Sequence, residues 1–209
     1  MHKAIFEMMR GDFSGAALNS AELARLTREH DLPHWRAFGV FLQGLATAQS
    51  GTPGEGLDEM RRVTGLLRDR NVLVVDGLFK ITLAEAEARA GDVDRAVAIL
   101  DEALATSKRT GHRSFEAELH RVRGEMLLKR DPANPAPAEE ALQTAIAVAK
   151  QQGTRSFELR AALPLAKLYH STGRLAAAHA VLAPALEGFA PTPEMPESAE
   201  AISLIERLN

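Results

Sequence analysis

The sequence predicts an all-α fold, a right-handed superhelix of antiparallel helix pairs with about five repeats of ~40 residues and a C-terminal capping helix. Three observations predict it. Small side chains return at intervals of 40, 40, 40 and then 42 residues, and glycines recur at a constant offset behind them. Aromatic residues make up only 5% of the 209 residues, and this composition favours helix over sheet.

Three series of positions share this register. The first helix of each pair carries a small residue at Ala4, Gly44, Ala84, Gly124 and Ala166. The turn that follows is marked by Gly11, Gly51, Gly91, Asp131 and Gly173. The second helix carries a small residue early, at Ala16, Gly56, Ala96, Ala138 and Ala178. Small side chains are expected where two helices cross closely, and glycine at a turn reaches positive φ cheaply and ends a helix.

The register divides the chain into a single repeat domain. The predicted repeats are 1–32, 33–72, 73–112, 113–154 and 155–192, followed by the capping helix at 197–208. The predicted helix pairs are 1–10 with 14–30, 34–50 with 54–69, 73–90 with 93–109, 114–130 with 137–152, and 156–171 with 174–189. In the capping helix Ile202, Ile205 and Leu208 share one face. Because the register places the start of the first helix before position 1, we expect a fragment of a larger protein.

Several residues are expected to fix the ends of these helices. Asp12 and Asp92 follow turn positions and can cap the second helices, because a carboxylate accepts from the free backbone N–H groups there. Ser114 and Ser156 are expected to cap the first helices of the last two repeats. Pro164 lies within a predicted helix, where it removes a hydrogen bond and is expected to produce a kink.

Charge and composition exclude several functional classes. The formal net charge is −3, whereas nucleic-acid-binding domains are usually strongly basic, so no nucleic-acid partner is expected. The absence of cysteine excludes disulfides, thiolate zinc sites and cysteine nucleophiles. The first ten residues show no secretory signal, and the apolar stretch around 72–79 is too short to span a bilayer. We expect a cytoplasmic protein without a membrane partner.

The spacing of the small residues resembles the tetratricopeptide consensus. The second series lies seven residues after the first, and the third lies five residues further on. The later alanine of that consensus is matched by Ala103, Ala145 and Ala185. The period departs from the 34 residues usual in that family, and most of its first-helix aromatic residues are absent. The resemblance implies stacked helix pairs whose first helices line a concave groove.

A narrower resemblance covers about the last hundred residues. Its strings are Glu116-Ala-Glu-Leu-His-Arg-Val-Arg-Gly-Glu-Met-Leu-Leu, Ser156-Phe-Glu-Leu-Arg-Ala-Ala with Leu165-Ala-Lys-Leu, and Val181-Leu-Ala-Pro. They are similar to the C-terminal repeat region of bacterial signalling ATPases of the adenylate/guanylate cyclase type or the transcriptional-regulator type. The resemblance implies a regulatory tail that senses a signal or docks a partner. It transfers no catalysis, because the chain has no phosphate-binding loop of the GxxxxGKS or GxxxxGKT type.

The groove implied by the first resemblance assigns candidate binding residues to the first helices. They are Phe38, Phe41, Leu45, Leu78, Ile81, Glu85, Arg89, Glu118, Arg121, Glu125, Lys129, Arg160, Leu163, Lys167 and His170. Spacings of three and four place each set on one helical stripe. The stripe is apolar at its N-terminal end and basic at its C-terminal end, so a protein or peptide with an apolar anchor and a carboxylate-rich end would complement it. Alternatively, Phe38 and Phe41 pack against neighbouring repeats or an upstream segment.

Possible chemical sites are weaker than their structural alternatives. His30 and His34 are four residues apart, but Pro33 separates them, which indicates a helix junction with no third metal ligand. His120 with Glu116 could form an acid–base pair, yet no nucleophile or oxyanion donor accompanies it. The arginines at 61–70 alternate with acidic residues, as expected of a solvated helix face. No catalytic residue, metal site or cofactor is therefore predicted.

These observations are compatible with three functions. A non-catalytic module that binds a protein, a peptide or upstream domains of its own polypeptide ranks first. A small-molecule sensor of a transcriptional regulator is the alternative, with an effector lodged in the groove. An enzyme ranks last.

Overall fold

The computed structural model describes residues 3, 7, 12–49, 53–70, 72, 73, 75–192 and 195–208. These residues form an all-α protein, as predicted. The helices are α1 (Phe13–Glu29), α2 (Pro33–Gln49), α3 (Pro53–Asp69), α4 (Asp76–Arg89), α5 (Val93–Thr110), α6 (Glu116–Arg130), α7 (Ala136–Gln152), α8 (Arg155–Ser171), α9 (Leu175–Leu186) and α10 (Pro196–Leu208). Within the described part of the chain, β pairing is limited to an isolated bridge between Thr192 and Met195.

Consecutive helices pack against each other within two compact units, 1–99 and 100–209, which divide inside α5. In the first unit α2 packs on α1 and α3, and α4 packs on α3 and α2. In the second unit α7 packs on α6 and α8, while α9 packs on α8 and α10. Most helix bounds agree with the predicted ones to within about two residues. The helix predicted at 1–10 falls largely outside the described residues.

In the first unit, α2 and α3 approach each other closely at two glycines. A Cβ on Gly56 would collide with the carbonyl oxygen of Gly44 and with the backbone of Ala48. In the reverse direction, a Cβ on Gly44 would lie 2.9 Å from the Gly56 carbonyl oxygen. The sequence predicted small residues at these positions, and the structure places both in direct helix–helix contact.

The second unit repeats this arrangement with one glycine and several alanines. A Cβ on Gly124 of α6 would lie 2.7 Å from Cγ of Leu142 and 3.1 Å from the carbonyl oxygen of Ala138, both on α7. The alanines of the predicted series that the structure describes are buried: Ala16, Ala84, Ala96, Ala138, Ala166 and Ala178. Ala4, Gly11 and Gly51 lie outside the described residues.

The turn positions agree with prediction at Gly91 and Gly173, the two glycines of this series that the structure describes. Gly91 and Gly173 adopt φ values of 101° and 75°, in the left-handed region that glycine tolerates. Asp131 occupies the equivalent position in the longer loop after α6 and has φ −140°, so it does not form a left-handed turn. Among the described repeats, the turn position after the first helix is therefore left-handed only where a glycine occupies it.

The predicted aspartate caps are confirmed. An Asp12 carboxylate oxygen accepts from the backbone N–H of Gly15 at 2.9 Å. Asp92 accepts from the backbone N–H of Arg95 at the same distance. Each bond satisfies a donor in the first turn of a second helix, α1 or α5.

The predicted serine caps are wrong. Helix α6 begins at Glu116 after Phe115, and α8 begins at Arg155, which places Ser156 inside its first turn. Neither helix has a side-chain cap hydrogen bond at its N-cap residue. Pro164 lies inside α8, and the helix continues beyond it to Ser171.

A buried ion pair links α3 to α4. Glu87 is only 1% exposed and accepts two hydrogen bonds of 2.7 Å from Arg61, while Arg95 lies 3.3 Å away. The sequence assigned Arg61 to a solvated face because acidic residues, including Asp58, interleave with the arginines at 61–70. That assignment is incomplete: Arg61 pairs with Asp58 and also reaches Glu87, a partner 26 residues away that periodicity does not reveal.

We predict opposite effects for two glycine substitutions on α3. Gly56→Ala should lower the free energy of unfolding by about 1–3 kcal/mol, because its Cβ meets backbone that cannot move aside. Gly65→Ala, where nothing lies within 4 Å of the new Cβ, should raise it by about 0.5–1 kcal/mol through helix propensity. Urea titration followed by Trp35 fluorescence and circular dichroism measures both. Equal effects of the two substitutions would contradict close backbone contact at Gly56.

Candidate binding face on helices α6, α8 and α10

The candidate site belongs to the second unit, where α8 packs against α6 on one side and α10 on the other. Helices α6 and α8 are the first helices of their pairs and carry the polar half of the predicted stripe. Each of these first helices is connected by a short loop to a second helix, α7 or α9, which packs against it. Side chains spaced three or four residues apart share one face of each helix, so those on α6 can contact those on α8.

The α6 part of the site is a buried ion network. Glu118 and Arg121 are only 4% and 6% exposed. Arg121 lies 3.0 Å from a Glu118 carboxylate oxygen and 2.9 Å from one of Glu125. Buried charges persist only when paired and hydrogen-bonded, so these residues hold the fold together before they can serve a partner.

Arg160 of α8 joins this network to α10. Its guanidinium lies 2.9 Å from Glu118 on α6 and 3.1 Å from Glu197 on α10. One arginine thus pairs with carboxylates from the helices on both sides of it. The planar guanidinium suits this role because it presents several donors in fixed directions.

The stripe reaches solvent near the C-terminal ends of α6 and α8. Lys129 and His170 are exposed there. Lys167 lies 2.7 Å from Glu200 of α10, and both side chains remain about half exposed, at 47% and 51%. Exposed basic side chains of the predicted groove therefore lie at the C-terminal ends of α6 and α8.

Helix α10 supplies the carboxylates that the sequence assigned to a partner. Ser198, Ala201 and Leu204 are buried against the core of the second unit, which includes Leu163, Ala166 and Leu182 of α8 and α9. The predicted apolar face of α10 is partly corrected. Ile205 and Leu208 pack against the edge of this core, but the α10 side chains that enter the core are Ala201 and Leu204. Glutamates placed three apart at the start of an amphipathic helix were the available signal for this pairing, and sequence reasoning missed it.

The apolar half of the predicted groove lies in the interior of the first unit. Its members Phe38, Phe41, Leu45, Leu78 and Ile81 are all buried. Phe41 stacks on Phe79 of α4 with ring centroids 4.0 Å apart, and Phe38 meets the same ring edge-on at 5.2 Å. These side chains are therefore not placed on an open surface. The alternative in which the phenylalanines pack against a neighbouring repeat agrees with their positions.

The remaining N-terminal groove residues are more accessible. Glu85 is partly buried and Arg89 is exposed. Arg89 borders a cleft of about 390 Å³ between the ends of α2 and α4 and the start of α3, lined also by Ala48, Gln49, Pro53, Ala86 and Ala90.

A second cleft, of about 340 Å³, lies between α7 and α9. It is lined by Gln143, Ile146, Lys150, Leu165, Tyr169, Ala177, Ala180 and Val181. Tyr169 donates to Glu139 at 2.9 Å and accepts from Gln143 at 3.0 Å. Arg174 stacks over the Tyr169 ring and lowers the pKa of Glu139, with which it pairs at 2.9 Å, whereas burial raises the pKa of Tyr169. This cluster was not found from the sequence because its members lie on two helices, α7 and α8, and in the turn before α9.

The two residues of the candidate acid–base pair on α6, Glu116 and His120, each interact with other residues. Glu116 is paired with Arg113 in the preceding loop. Burial lowers the pKa of His120; the carboxylate of Glu116 opposes that effect, and Arg123 adds to it. His120 therefore favours its neutral form.

The histidines considered as metal ligands lie at a helix junction. His30 follows the end of α1, and His34 lies in the first turn of α2. Among the residues that the structure describes, no group of three or more metal-ligating side chains is found. Over the same residues, no helix combines the length and apolar character needed to cross a membrane.

Comparison with known proteins gives a distant relative. No family model matches the chain. The chain is 24% identical over 172 residues to an uncharacterized protein of Rhizobium meliloti (strain 1021). The match covers 82% of this chain but only 17% of that relative, so the chain spans less than a fifth of the relative's length.

We predict that His120 makes stability depend on pH. Because its folded-state pKa is lowered, the unfolded chain binds the proton more readily, and stability should fall as pH drops through the ordinary histidine pKa of about 6.5. His120→Gln should flatten the slope of the unfolding free energy between about pH 7 and about pH 5. His112→Gln, in the exposed loop before α6, is the control for removal of an imidazole elsewhere in the chain. Urea titrations at each pH test this, and a wild-type slope in His120→Gln would refute it.

We predict that the two ends of the α6 stripe respond differently to charge reversal. Arg121→Glu should lower the free energy of unfolding by about 3–5 kcal/mol, because it leaves Glu118 and Glu125 beside a third carboxylate in a buried site. Lys129→Glu, on the exposed last turn, should change it by about 0.5 kcal/mol or less. Urea unfolding followed by circular dichroism compares them. An Arg121→Glu protein as stable as wild type would show that the network does not support the fold.

Proposed function

We propose that this chain is a non-catalytic protein-interaction and scaffolding module that binds an acidic, amphipathic segment on the first helices of its second unit. The observation that carries this proposal is the seating of α10, whose Glu197 and Glu200 pair with Arg160 and Lys167 while its apolar side packs on the core. The face therefore accommodates a helix of the composition expected for a partner.

Ion pairs and apolar contacts contribute unequally to the attachment of α10, as expected of a docking surface. Half-exposed ion pairs such as Lys167–Glu200 contribute about 0–1 kcal/mol each, so they select a partner more than they hold it. Burial of small and leucine side chains supplies most of the attraction, at about 25 cal/mol per Å² of apolar surface. The exposed Lys129 and His170 extend the basic end and favour approach of an acidic segment.

The wider context that we propose is a regulatory repeat tail of a bacterial signal-transduction ATPase or cyclase-like protein. Two observations support it: the strings in the last hundred residues that resemble such tails, and the relative whose matched segment is 17% of its length. In that context the docked segment belongs to another protein or to other domains of the same polypeptide.

A small-molecule sensor is the second candidate, and the cleft beside Tyr169 favours it. Its volume of about 340 Å³ lies within the range of small ligand pockets. An apolar floor from Ile146, Leu165 and Val181 is bordered by the polar groups of Gln143 and Tyr169, which could orient a ligand.

We predict that protein binding depends on the exposed basic end. A partner is identified by cross-linking in cells, purified and mixed with the chain; Lys129→Glu combined with His170→Glu should weaken the complex about tenfold at low salt and less at high salt, because rim charges are screened. Lys108→Glu, exposed on second helix α5, is the matched control and should bind like wild type. Calorimetry with thermal unfolding of each variant separates lost binding from lost stability.

Two outcomes contradict this assignment. Unchanged affinity of the Lys129/His170 variant for the purified partner would remove the first-helix face from the interface. A metabolite that raises the melting temperature of the chain, with that shift abolished by Tyr169→Phe, would favour the sensor.

A further inference from the structure

We infer that α10 is an exchangeable occupant of the acceptor face, defined as the surface of α8 and α9 that α10 covers. A partner binds by replacing it with an acidic amphipathic helix of the same pattern. This inference rests on the proposed function and adds its regulation: α10 covers the part of the docking site that lies on first helix α8, together with the adjoining surface of α9. Four features of the second unit lead to it.

The first feature is the narrow attachment of α10. Of its 13 residues, Ser198, Ala201 and Leu204 are buried, whereas α8 buries residues along its whole length, from Glu158 to Tyr169. Ile205 and Leu208 are only partly buried at the edge of the core. Helices with few buried apolar contacts open at lower free energy than the rest of a domain, so α10 can detach while α8 and α9 stay folded.

The second feature is that the acceptor face keeps its charges balanced without α10. Arg160 retains Glu118 at 2.9 Å when Glu197 leaves. Lys167, which pairs with Glu200, is already about half exposed and is solvated on opening. Detachment therefore leaves no buried unpaired charge, which would otherwise oppose it strongly.

The third feature is the connection between α9 and α10. It runs from 187 to 195, whereas 153–154 connects α7 to α8 and 172–174 connects α8 to α9. The end of α9 is fixed independently of α10, because Arg155 of α8 donates to the carbonyl oxygens of Pro184 and Glu187 at 3.0 Å. The longer connection lets α10 leave without unravelling α9.

The fourth feature is the pattern that α10 offers to the face. Glu197 and Glu200 are three residues apart and pair with basic residues of α8. Ala201 and Leu204 follow at offsets of four and seven from Glu197 and enter the core. A competing helix needs acidic residues three apart, followed by a small residue and a leucine on the same face.

A peptide of residues 196–208 tests the exchange. Leu204→Asp places a charge in the core contact and should release α10, so fluorescein-labelled peptide should bind this full-length variant at least about tenfold more tightly than wild type, in which α10 competes. Ser203→Asp adds the same charge to an exposed position of α10 and should behave like wild type. Fluorescence anisotropy gives the affinities, and circular dichroism verifies that each variant is folded.

Charge exchange identifies the face that the peptide occupies. Adding Lys167→Glu to the Leu204→Asp chain should lower its affinity for the wild-type peptide about tenfold. A peptide carrying Glu200→Lys should then regain most of that affinity, because the opposite-charge pair is restored. Peptide that binds Leu204→Asp and wild type equally, or that ignores the charge exchange, overturns the inference.

Hydrogen exchange on the unmodified chain covers the case in which Leu204→Asp fails to fold. Amides of α10 should exchange faster than those of α8 and α9, and excess unlabelled peptide should accelerate α10 further by occupying its place. Exchange of α10 together with α8 and α9 would overturn the inference.

Two further outcomes separate this inference from the proposed function. A concentration-dependent wild-type dimer that Leu204→Asp abolishes would assign the face to a second copy of the chain and overturn a partner helix. If the peptide does not exchange with α10, this inference is wrong. The proposed function is then tested separately by the affinity of the Lys129/His170 variant for the purified partner.

Discussion

The structure depends on the close approach of paired helices at positions where a side chain would not fit. Gly44 and Gly56 bring α2 and α3 together, and Gly124 rests against Leu142 to bring α6 and α7 together. Because the backbones meet there, the side chains on either side interdigitate, and the outer faces of each pair are fixed. The positions of the charged and aromatic side chains follow from these contacts.

Buried glutamates on the first helices provide a second constraint. Glu87 of α4, Glu118 of α6 and Glu158 of α8 are each nearly inaccessible to solvent and each lie near two cationic groups. Their partners are Arg61 and Arg95, Arg121 and Arg160, and Arg155 and Lys150, respectively. A carboxylate cannot be buried without such compensation, so each glutamate favours one alignment of its neighbouring helices over others.

These constraints limit where a partner can bind. The aromatic residues on the first helices of the first unit are used in packing, and the central charges of α6 are used in the ion network. Among the described residues of the second unit, the C-terminal ends of α6 and α8 carry exposed basic side chains, and the surface under α10 carries the cations that pair with its glutamates. Since α10 carries both acidic and apolar residues, the binding that we propose uses the same contacts as those by which α10 covers the face.

The sequence by itself determined the helical class, nearly all described helix bounds, the small positions and the aspartate caps, because each follows from local periodicity, side-chain size or turn geometry. Tertiary structure decided the rest. Phe41 lies inside because Phe79 from another repeat stacks on it, and Arg160 is neutralised by carboxylates 42 and 37 residues away in sequence, Glu118 and Glu197. Spacing along one helix shows which residues share a face, but only the packing of helices distant in sequence determines whether that face meets solvent, a core or a counter-charge.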